Sequence, residues 1–302
     1  MNILPRDKQI EVIAALVDGL GIRAVSRITG VNRGTVGALA LRIGQGCATL
    51  HDGMMVGVRT SRLELDELHA YVKRRRRWHE VPSANQADVA DQYTYVALAA
   101  STRAIVSYRT GKRDSGNTWA FIEDLRERVI GCPEISTDGF KPYISAIRQV
   151  FAGKAAHGQI IKTYSVTHLA VKEAARRYSP AQVIAVERDV VSGVPENICT
   201  SYVERSHLTL RQTCKRFARL GLGFSKRLEN HCAAVSLHVA HYNLCRVHES
   251  LRSTPGMALG IADQVWTIGD LLDAALATMP AAPENAPDRR KRFTVIDGGK
   301  TD

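Results

Sequence analysis

The chain has 302 residues, of which 45% are hydrophobic, and its formal net charge is +11 at pH 7. A chain of this length and apolar content can bury one large core or two smaller ones, which excludes wholesale intrinsic disorder. The positive charge predicts a polyanionic partner, most often a nucleic acid, with solubility alone as the alternative explanation.

Several features of the chain together indicate a cytoplasmic protein. No run of apolar residues approaches the roughly 18 that a membrane span requires, and the N-terminus lacks the charged and apolar regions of a signal peptide. The six cysteines are scattered without a Cys-x-x-Cys pair, which argues against a zinc ribbon and predicts reduced thiols. We therefore expect no membrane partner.

The N-terminal region, residues 6–50, predicts three helices. Gly19 and Gly21 end the first helix, and Asn32 is placed to cap the third. A helix, a short helix, a turn with glycine and another helix form the pattern of a helix-turn-helix DNA-binding domain, although any small three-helix bundle could show it. We place this domain at residues 1–52. The third helix would then enter a major groove with Arg33, Thr35 and Arg42.

After a glycine-rich stretch from Gly44 to Gly57, interpreted as a linker, the pattern changes to strands. Three strands, a helix, a strand, a helix and a strand follow, which is the order of a ribonuclease-H-like α/β domain with a mixed five-stranded sheet. In that architecture the first and fourth strands are neighbours. The predicted strands are 63–68, 93–99, 104–109, 134–137 and 159–164, and the predicted helices are 115–129, capped near Ser115 or Asn117, and 141–151.

The C-terminal third is predicted to be mainly helical. Residues 165–200 give no clear pattern, but a long helix is predicted from Ser201 to a break near Gly221, and another from Ser225 to His248. We place the catalytic domain at 58–255, a helical extension at 256–279 and a disordered tail at 280–302.

Three acidic residues in separate segments are the candidate catalytic residues. Asp66 lies in a predicted strand, Asp138 follows the end of another, and Glu204 lies near the start of a basic helix. If the first and fourth strands are neighbours, Asp66 and Asp138 stand side by side. Hard divalent cations prefer carboxylate oxygens, and two such cations can clamp the attacking and leaving oxygens of a phosphodiester.

The third acidic position has a rival candidate, Glu187. It lies among β-branched residues, whereas His207 and Arg211 follow Glu204 at the spacing of one helix face. This periodicity favours Glu204.

Two basic segments are candidates for contact with phosphates. Residues 73–77 are five consecutive cations, which repel one another unless an anion is near, although such runs are usually solvated loops. The second segment follows Glu204, where a basic stripe would lead a DNA backbone toward the acidic residues. The predicted DNA contacts in these segments are Arg74, Arg75, Arg76, Arg205, Arg211, Lys215, Arg216 and Lys226.

A row of possible zinc ligands shares one face of the last predicted helix. The row spans more than two helical turns, so its outer members are too far apart to bind one ion, and packing is the favoured interpretation. Its members are His231, His238, His241, Cys245 and His248.

Five segments, in this order, resemble a bacterial DDE transposase of the insertion-sequence-one family: Glu64–Leu68, Ser136–Phe140, Thr200–Arg211, Phe224–Lys226 and His241–His248. The resemblance covers most of the chain, to about Leu272. It implies a ribonuclease-H-like catalytic domain and metal-dependent cleavage and strand transfer at the inverted-repeat ends of an insertion sequence. It assigns Asp66, Asp138 and Glu204 as the catalytic triad and as ligands of two Mg²⁺ ions, for which Mn²⁺ can substitute. The implied partners are double-stranded DNA, at the element ends and the target, and at least one further copy of the chain, as a homodimer or higher assembly on DNA.

The chain departs from that family at three points. It has His69 where many members have an aromatic residue, His207 where an amide-bearing residue is common, and no cysteine-rich zinc finger before the helix-turn-helix. Two other functions remain open. One is a DNA-binding regulator with a catalytically silent ribonuclease-H-like domain, against which the intact acidic triad argues, and the other is a nuclease that cuts without joining.

Overall fold

The computed structural model describes residues 4–73, 87–164, 183–218 and 222–279. These residues form an α/β structure in which three N-terminal helices precede a mixed six-stranded sheet with helices on both faces. The helices are α1 Arg6–Val17, α2 Ile22–Thr29, α3 Arg33–Met54, α4 Ser115–Arg128, α5 Pro142–Val150, α6 Ser201–Thr213, α7 Leu228–Leu244, α8 Pro255–Leu259 and α9 Ile268–Ala277. The strands are β1 Arg62–Val72, β2 Ala90–Ala99, β3 Ile105–Gly111, β4 Glu134–Asp138, β5 His157–Tyr164 and β6 Val183–Ser192.

The order of the strands across the sheet is β3-β2-β1-β4-β5-β6. Strand β1 is antiparallel to β2 and parallel to β4, so the prediction that the first and fourth strands are neighbours is confirmed. The register pairs Leu63 with Ile135 and Glu64 with Ser136. Continued by two residues, it brings Asp66 level with Asp138. This strand order is compatible with a ribonuclease-H-like domain.

The sheet has six strands, so the prediction of five was wrong. The additional strand, β6, pairs antiparallel with β5 and lies in the stretch that gave no clear pattern. Its residues from Val183 to Val190 are exposed on both faces of the strand. A strand that buries neither face has no alternation of apolar and polar residues to reveal it.

Two hydrophobic cores lie on opposite faces of the sheet, and β1 contributes to both. Leu63 and Leu65 pack in the core beneath α4 and α5, whereas Leu68 and Ala70 pack in the core beneath α6 and α7. Successive side chains of a strand point to opposite faces. Asp66 therefore lies on the side of α6, and its neighbour Glu67 lies on the side of α4 and α5.

Residues 44–54 of the glycine-rich stretch interpreted as a linker are helical, so that interpretation was wrong for most of the stretch. Gly44 and Gly46 lie within α3, and a Cβ atom added to them would lie 2.2 Å from the Ala233 carbonyl oxygen and 2.1 Å from the Ala275 carbonyl oxygen. These glycines therefore permit α3 to pack backbone against backbone on α7 and α9. The N-terminal helices and the C-terminal helices share a hydrophobic core as a result.

The turn before α3 has the predicted structure. Gly30 adopts φ 73°, and the Asn32 side chain caps α3 by accepting a hydrogen bond from the Gly34 amide at 2.8 Å.

Three other helix boundaries differ from the predictions. The cap of α4 is Asp114, which accepts from the Asn117 amide; α6 ends at Thr213, before a 3-10 turn at Lys215–Phe217; and α7 spans only Leu228–Leu244.

The predicted helical extension contains α8 and α9, whereas the predicted disordered tail lies outside the described residues. Across the described part of the chain, every helix is too short or too polar to traverse a bilayer.

Candidate active site

The middle of β1 and the carboxyl end of β4 bring three carboxylates together. Asp66 and Glu67 come from β1, and Asp138 is the last residue of β4. One oxygen of each side chain lies within 4.8 Å of one oxygen of each of the others. In the described residues this is the only group of three or more acidic, histidine or cysteine side chains with the spacing of a metal site.

Glu67 is a member of this group that the sequence did not single out. Only 2% of its side chain is exposed, and its Oε2 accepts a hydrogen bond from Arg113 Nε at 2.9 Å. Burial, and next the Asp138 carboxylate, raise the pKa of Glu67 to about 7. Side chains alternate along β1, so Glu67 leaves the strand on the opposite face of the sheet from Asp66. Glu67 therefore joins the group of carboxylates from the face covered by α4 and α5.

Arg113 joins Glu67 to Asp138. Its Nη2 donates to Asp138 Oδ2 at 2.7 Å, and its guanidinium lies 4.0 Å from the centre of the Phe140 ring. Asp138 also accepts a hydrogen bond from the Phe140 amide at 3.0 Å. Burial raises the pKa of Asp138, and the hydrogen bonds from Phe140 and Arg113 oppose that rise. The side chain of Arg113 thus compensates two of the three clustered carboxylates.

Glu204 lies in the first turn of α6 and faces the same cavity, but it is outside the 4.8 Å group. Its Oε1 accepts from Thr200 Oγ1 at 2.7 Å and forms an ion pair with Lys162 of β5. The rival candidate, Glu187, lies exposed on β6 and does not line this cavity.

A buried glutamate of β1 fixes the start of α6. Glu64 Oε2 accepts hydrogen bonds from the amides of Tyr202 at 2.7 Å and Val203 at 3.1 Å. A carboxylate at this position satisfies amides that have no partner within the helix and interacts favourably with the helix dipole. Strand β1 therefore holds both Asp66 and the helix that carries Glu204.

His207 and Arg211 line the cavity with Glu204, as the helical spacing predicts. His207 is buried, and its Nδ1 lies 3.3 Å from Asp66 Oδ2. The cavity has a volume of about 870 Å³. We call it the acidic cavity, and its charged side chains are Asp66, Glu67, Asp138, Glu204, Arg113, Lys141, Lys162 and Arg211.

The predicted DNA contacts separate into several groups. Arg33, Lys215, Arg216 and Lys226 line a second cavity, of about 930 Å³, between α3 and the segment that joins α6 to α7, which we call the basic groove. Thr35, Arg42 and Arg205 are exposed but line neither cavity, and Arg211 lines the acidic cavity. Arg74, Arg75 and Arg76 lie outside the described residues.

In α7, histidines of the predicted row of zinc ligands take part in packing. His231 and His238 are buried, and their Nδ1 atoms lie 3.3 Å from Ser225 Oγ and 3.0 Å from Thr213 Oγ1, respectively. The row extends past the end of α7, since His248 follows its last residue, Leu244.

The acidic cavity has the donors that hard divalent cations prefer. Carboxylate oxygens bind Mg²⁺ and Mn²⁺, and close carboxylates without a cation repel one another. In the structure, Arg113 compensates Glu67 and Asp138, and Lys162 compensates Glu204. The residues present therefore fit a metal ion, provided that these cationic side chains release some of their carboxylate partners.

No protein-family model matches the sequence, and no curated protein matches it. Among solved structures, the chain is similar to one described as the cryo-EM structure of the piggyBac transposase synaptic complex with hairpin DNA. The TM-score is 0.43 and the sequence identity is 10%, over 90% of this chain and 70% of that chain. A similarity of this size assigns neither a family nor an activity to the chain.

Proposed function

We propose that the chain is a DDE transposase of the insertion-sequence-one type, which cleaves DNA at the inverted-repeat ends of a mobile element and joins the ends to target DNA. The observation that carries the proposal is that Asp66, Asp138 and Glu204 line one cavity. They come from β1, β4 and α6, which are far apart in the sequence, so their convergence is not a result of local structure.

Asp66, Asp138 and Glu204 are the proposed ligands of divalent metal ions, Mg²⁺ or Mn²⁺. When bound, such ions neutralise charge on the phosphodiester and lower the pKa of the attacking hydroxyl group. Asp66 and Asp138 already lie in the close group of carboxylates, whereas Glu204 completes the set only when Lys162 releases it.

The other side chains of the acidic cavity position the reacting groups. His207 lies 3.3 Å from Asp66 and restricts the orientation of that carboxylate. Arg113, Lys162 and Arg211 offer positive charge to the phosphates of a DNA strand that enters the cavity. Positioning and charge neutralisation, rather than a covalent enzyme intermediate, then supply the rate.

The N-terminal helices are the proposed reader of the element ends. Arg33, Thr35 and Arg42 are exposed on α3, and a helix with such side chains can contact bases and phosphates in a major groove. Because the reaction joins paired ends, the active assembly on DNA is at least a homodimer. Mass photometry of the protein with and without end DNA measures that assembly directly.

One observation favours a second candidate, the DNA-binding regulator. Arg113 and Lys162 of the chain itself pair with carboxylates of the acidic cavity, which is how a silent domain would keep acidic residues at such a site. A regulator of this kind binds end DNA but does not cut it with any divalent cation.

Cleavage of labelled DNA that carries the inverted repeats flanking the gene tests the proposal. With Mg²⁺ we expect Asp66→Asn, Asp138→Asn and Glu204→Gln each to slow cleavage more than about a hundredfold, beyond the usual effect of changing a residue that only supports a metal ligand. Binding in a gel-shift assay should persist. The matched control is Glu123→Gln, which removes one carboxylate from the exposed surface of α4.

Each of the other outcomes has a clear meaning. Undiminished magnesium-dependent cleavage by any of the three variants overturns the assigned triad. Binding without cleavage by the unaltered protein indicates the regulator, and cutting without joining indicates a nuclease.

A further inference from the structure

The basic groove has an unbalanced set of charges. Six cationic side chains line it, but only one acidic side chain, Glu229, does so. Arg227 pairs with Glu229 at 3.3 Å, and within the described ranges the other five cations have no carboxylate within 4.0 Å. The six cations are Arg23, Arg33, Lys215, Arg216, Lys226 and Arg227. A concave surface with this balance attracts an anion from outside the chain.

Arg216 is the most buried cation of the groove. It is half-buried, whereas the other five cations are exposed. Its Nη1 donates to the neutral Ser225 hydroxyl at 2.8 Å, and burial lowers the pKa of Arg216. A guanidinium held away from water without an anionic partner is unfavourable, and a bound phosphate would relieve that cost.

The groove also exposes apolar side chains, which a phosphate-binding site does not need. Leu222 is 94% exposed and Leu20 is 36% exposed. Phe224 is half-buried beside Tyr71, with 4.9 Å between the ring centres. Duplex DNA hides the faces of its bases, whereas single-stranded DNA presents both phosphates and base faces. Cations interleaved with aromatic and aliphatic side chains therefore fit a single strand best.

Helix α6 connects the groove to the acidic cavity. Glu204, His207 and Arg211 of this helix line the acidic cavity, and its last residue, Thr213, lines the groove. At the rise of an α-helix, the nine steps from Glu204 to Thr213 span about 14 Å. This distance corresponds to about four nucleotides at the spacing of stacked bases.

We infer that the basic groove binds a single-stranded segment of nucleic acid, with phosphates on Arg216 and Lys226 and bases against Phe224 and Leu222. Its position about four nucleotides from a reacting phosphodiester rests on the proposed function. The binding itself does not, because none of the groove residues lines the acidic cavity.

Fluorescence anisotropy with a short labelled oligothymidylate tests the inference, and a duplex of equal length serves as the comparison ligand. A chelator in the buffer keeps metal-dependent cleavage out of the measurement. We expect Arg216→Gln and Lys226→Gln each to weaken single-strand binding about tenfold. Each should also reduce the slope of log affinity against log salt by about 0.7, the value for one lost phosphate contact on a single strand.

Two further variants separate charge from stacking. Phe224→Ala should weaken single-strand binding about tenfold and leave the salt slope unchanged, because it removes a stacking surface and no charge. Arg148→Gln, which removes one exposed cation from α5, outside both cavities, is the control and should change neither quantity.

The inference is overturned if the groove variants bind oligothymidylate like the unaltered protein, or if they lose duplex and single-strand binding equally. Thermal unfolding checks that Arg216→Gln folds; the exposed Lys226 provides the test if it does not. Oligothymidylate binding and magnesium-dependent cleavage of the element ends, both measured on the unaltered protein, separate the two proposals. Groove binding without any cleavage activity would remove the proposed function alone, and cleavage without groove binding would remove this inference alone.

Discussion

In the acidic cavity, Glu67, Asp138 and Glu204 each form an ion pair with a cationic side chain of the chain itself, whereas most cations of the basic groove have no such carboxylate partner in the described residues. The two cavities are similar in volume, about 870 and 930 Å³, and they share helix α6. The difference is in how their charges are balanced. In one cavity a ligand must displace protein cations, and in the other it meets cations that are ready to bind it.

That difference predicts different energetics of binding. A metal ion that enters the acidic cavity competes with Arg113 and Lys162, so its affinity depends on how strongly they hold the carboxylates. A strand that enters the basic groove meets only one ion pair among the described residues, Arg227 with Glu229. Its binding should therefore follow the simple salt dependence of counterion release.

The largest expected effect on stability comes from displacing α3, which forms one side of the basic groove. Gly44→Ala places a methyl group where the Ala233 carbonyl oxygen lies, and we expect a loss of about 3 kcal/mol of unfolding free energy. Oligothymidylate binding should weaken, whereas Mg²⁺ binding should persist. Urea denaturation measures the stability, and calorimetric titration measures the metal affinity.

A second glycine of the same helix is the matched control for that change. Among the described residues, no atom outside the adjoining turns of α3 lies within 4 Å of a Cβ added to Gly37, so Gly37→Ala should stabilise the protein by about 0.5–1 kcal/mol through helix propensity. Equal stabilities of the two variants would contradict the close packing of α3 on α7.

A smaller effect is expected when the internal cation of the acidic cavity is removed. Arg113→Gln leaves Glu67, which is almost fully buried, and Asp138 without their partner. Because Arg113 itself is one-third exposed, we expect a loss of only about 2 kcal/mol near neutral pH. Mg²⁺ should raise the unfolding free energy of this variant more than that of the unaltered protein, since a cation that binds only the folded state stabilises it.

Denaturation with and without Mg²⁺ measures both quantities, and Arg113→Lys, which keeps the charge, is the control. The loss should also shrink as the pH falls, because protonated carboxyl groups need no cation. If Mg²⁺ stabilises both proteins equally, Arg113 does not compete with metal.

The smallest expected effect is on how the unfolding free energy depends on pH, and it comes from two buried histidines beside the basic groove. Burial lowers the pKa of His231 and that of His238 to about 3, whereas a histidine in an unfolded chain titrates near 6.5. Below pH 6.5 the unfolded state therefore binds more protons than the folded state, and stability falls as the pH falls. Each histidine contributes up to about 1.4 kcal/mol per pH unit between these pKa values.

Chemical denaturation at about pH 7.5 and about pH 5.5 checks this linkage. His238→Gln should reduce the difference in unfolding free energy between the two conditions by about 1.4 kcal/mol. A difference unaffected by His238→Gln would mean that other groups dominate the acid sensitivity.

The sequence predicts the centre of the acidic cavity better than its surroundings. The adjacency of Asp66 and Asp138 follows from the strand order, and the placement of His207 beside Glu204 follows from helical periodicity. Neither pattern reveals Glu67, because strand alternation turns it away from Asp66. Arg113 is equally hidden, since its direction depends on the position of β4, which begins later in the chain.

Two other errors have the same physical origin. The sequence alone does not distinguish a glycine in a linker from a helical glycine such as Gly44, which is required because the backbone of Ala233 packs against it. Strand β6 has no buried face, so its sequence carries no period that would identify it. Both features depend on what the segment packs against, which a pattern read along one segment does not contain.

The register of β1 against β4 has a consequence for how this protein can fail. If the register of β1 against β4 shifted by one residue, the Asp66 side chain would point to the opposite face of the sheet. The same shift would break the hydrogen bonds that Glu64 accepts from the amides at the start of α6. The two losses cannot occur separately. A register slip of this strand should thus inactivate the site in one step, without forms that lose only one of the two contacts.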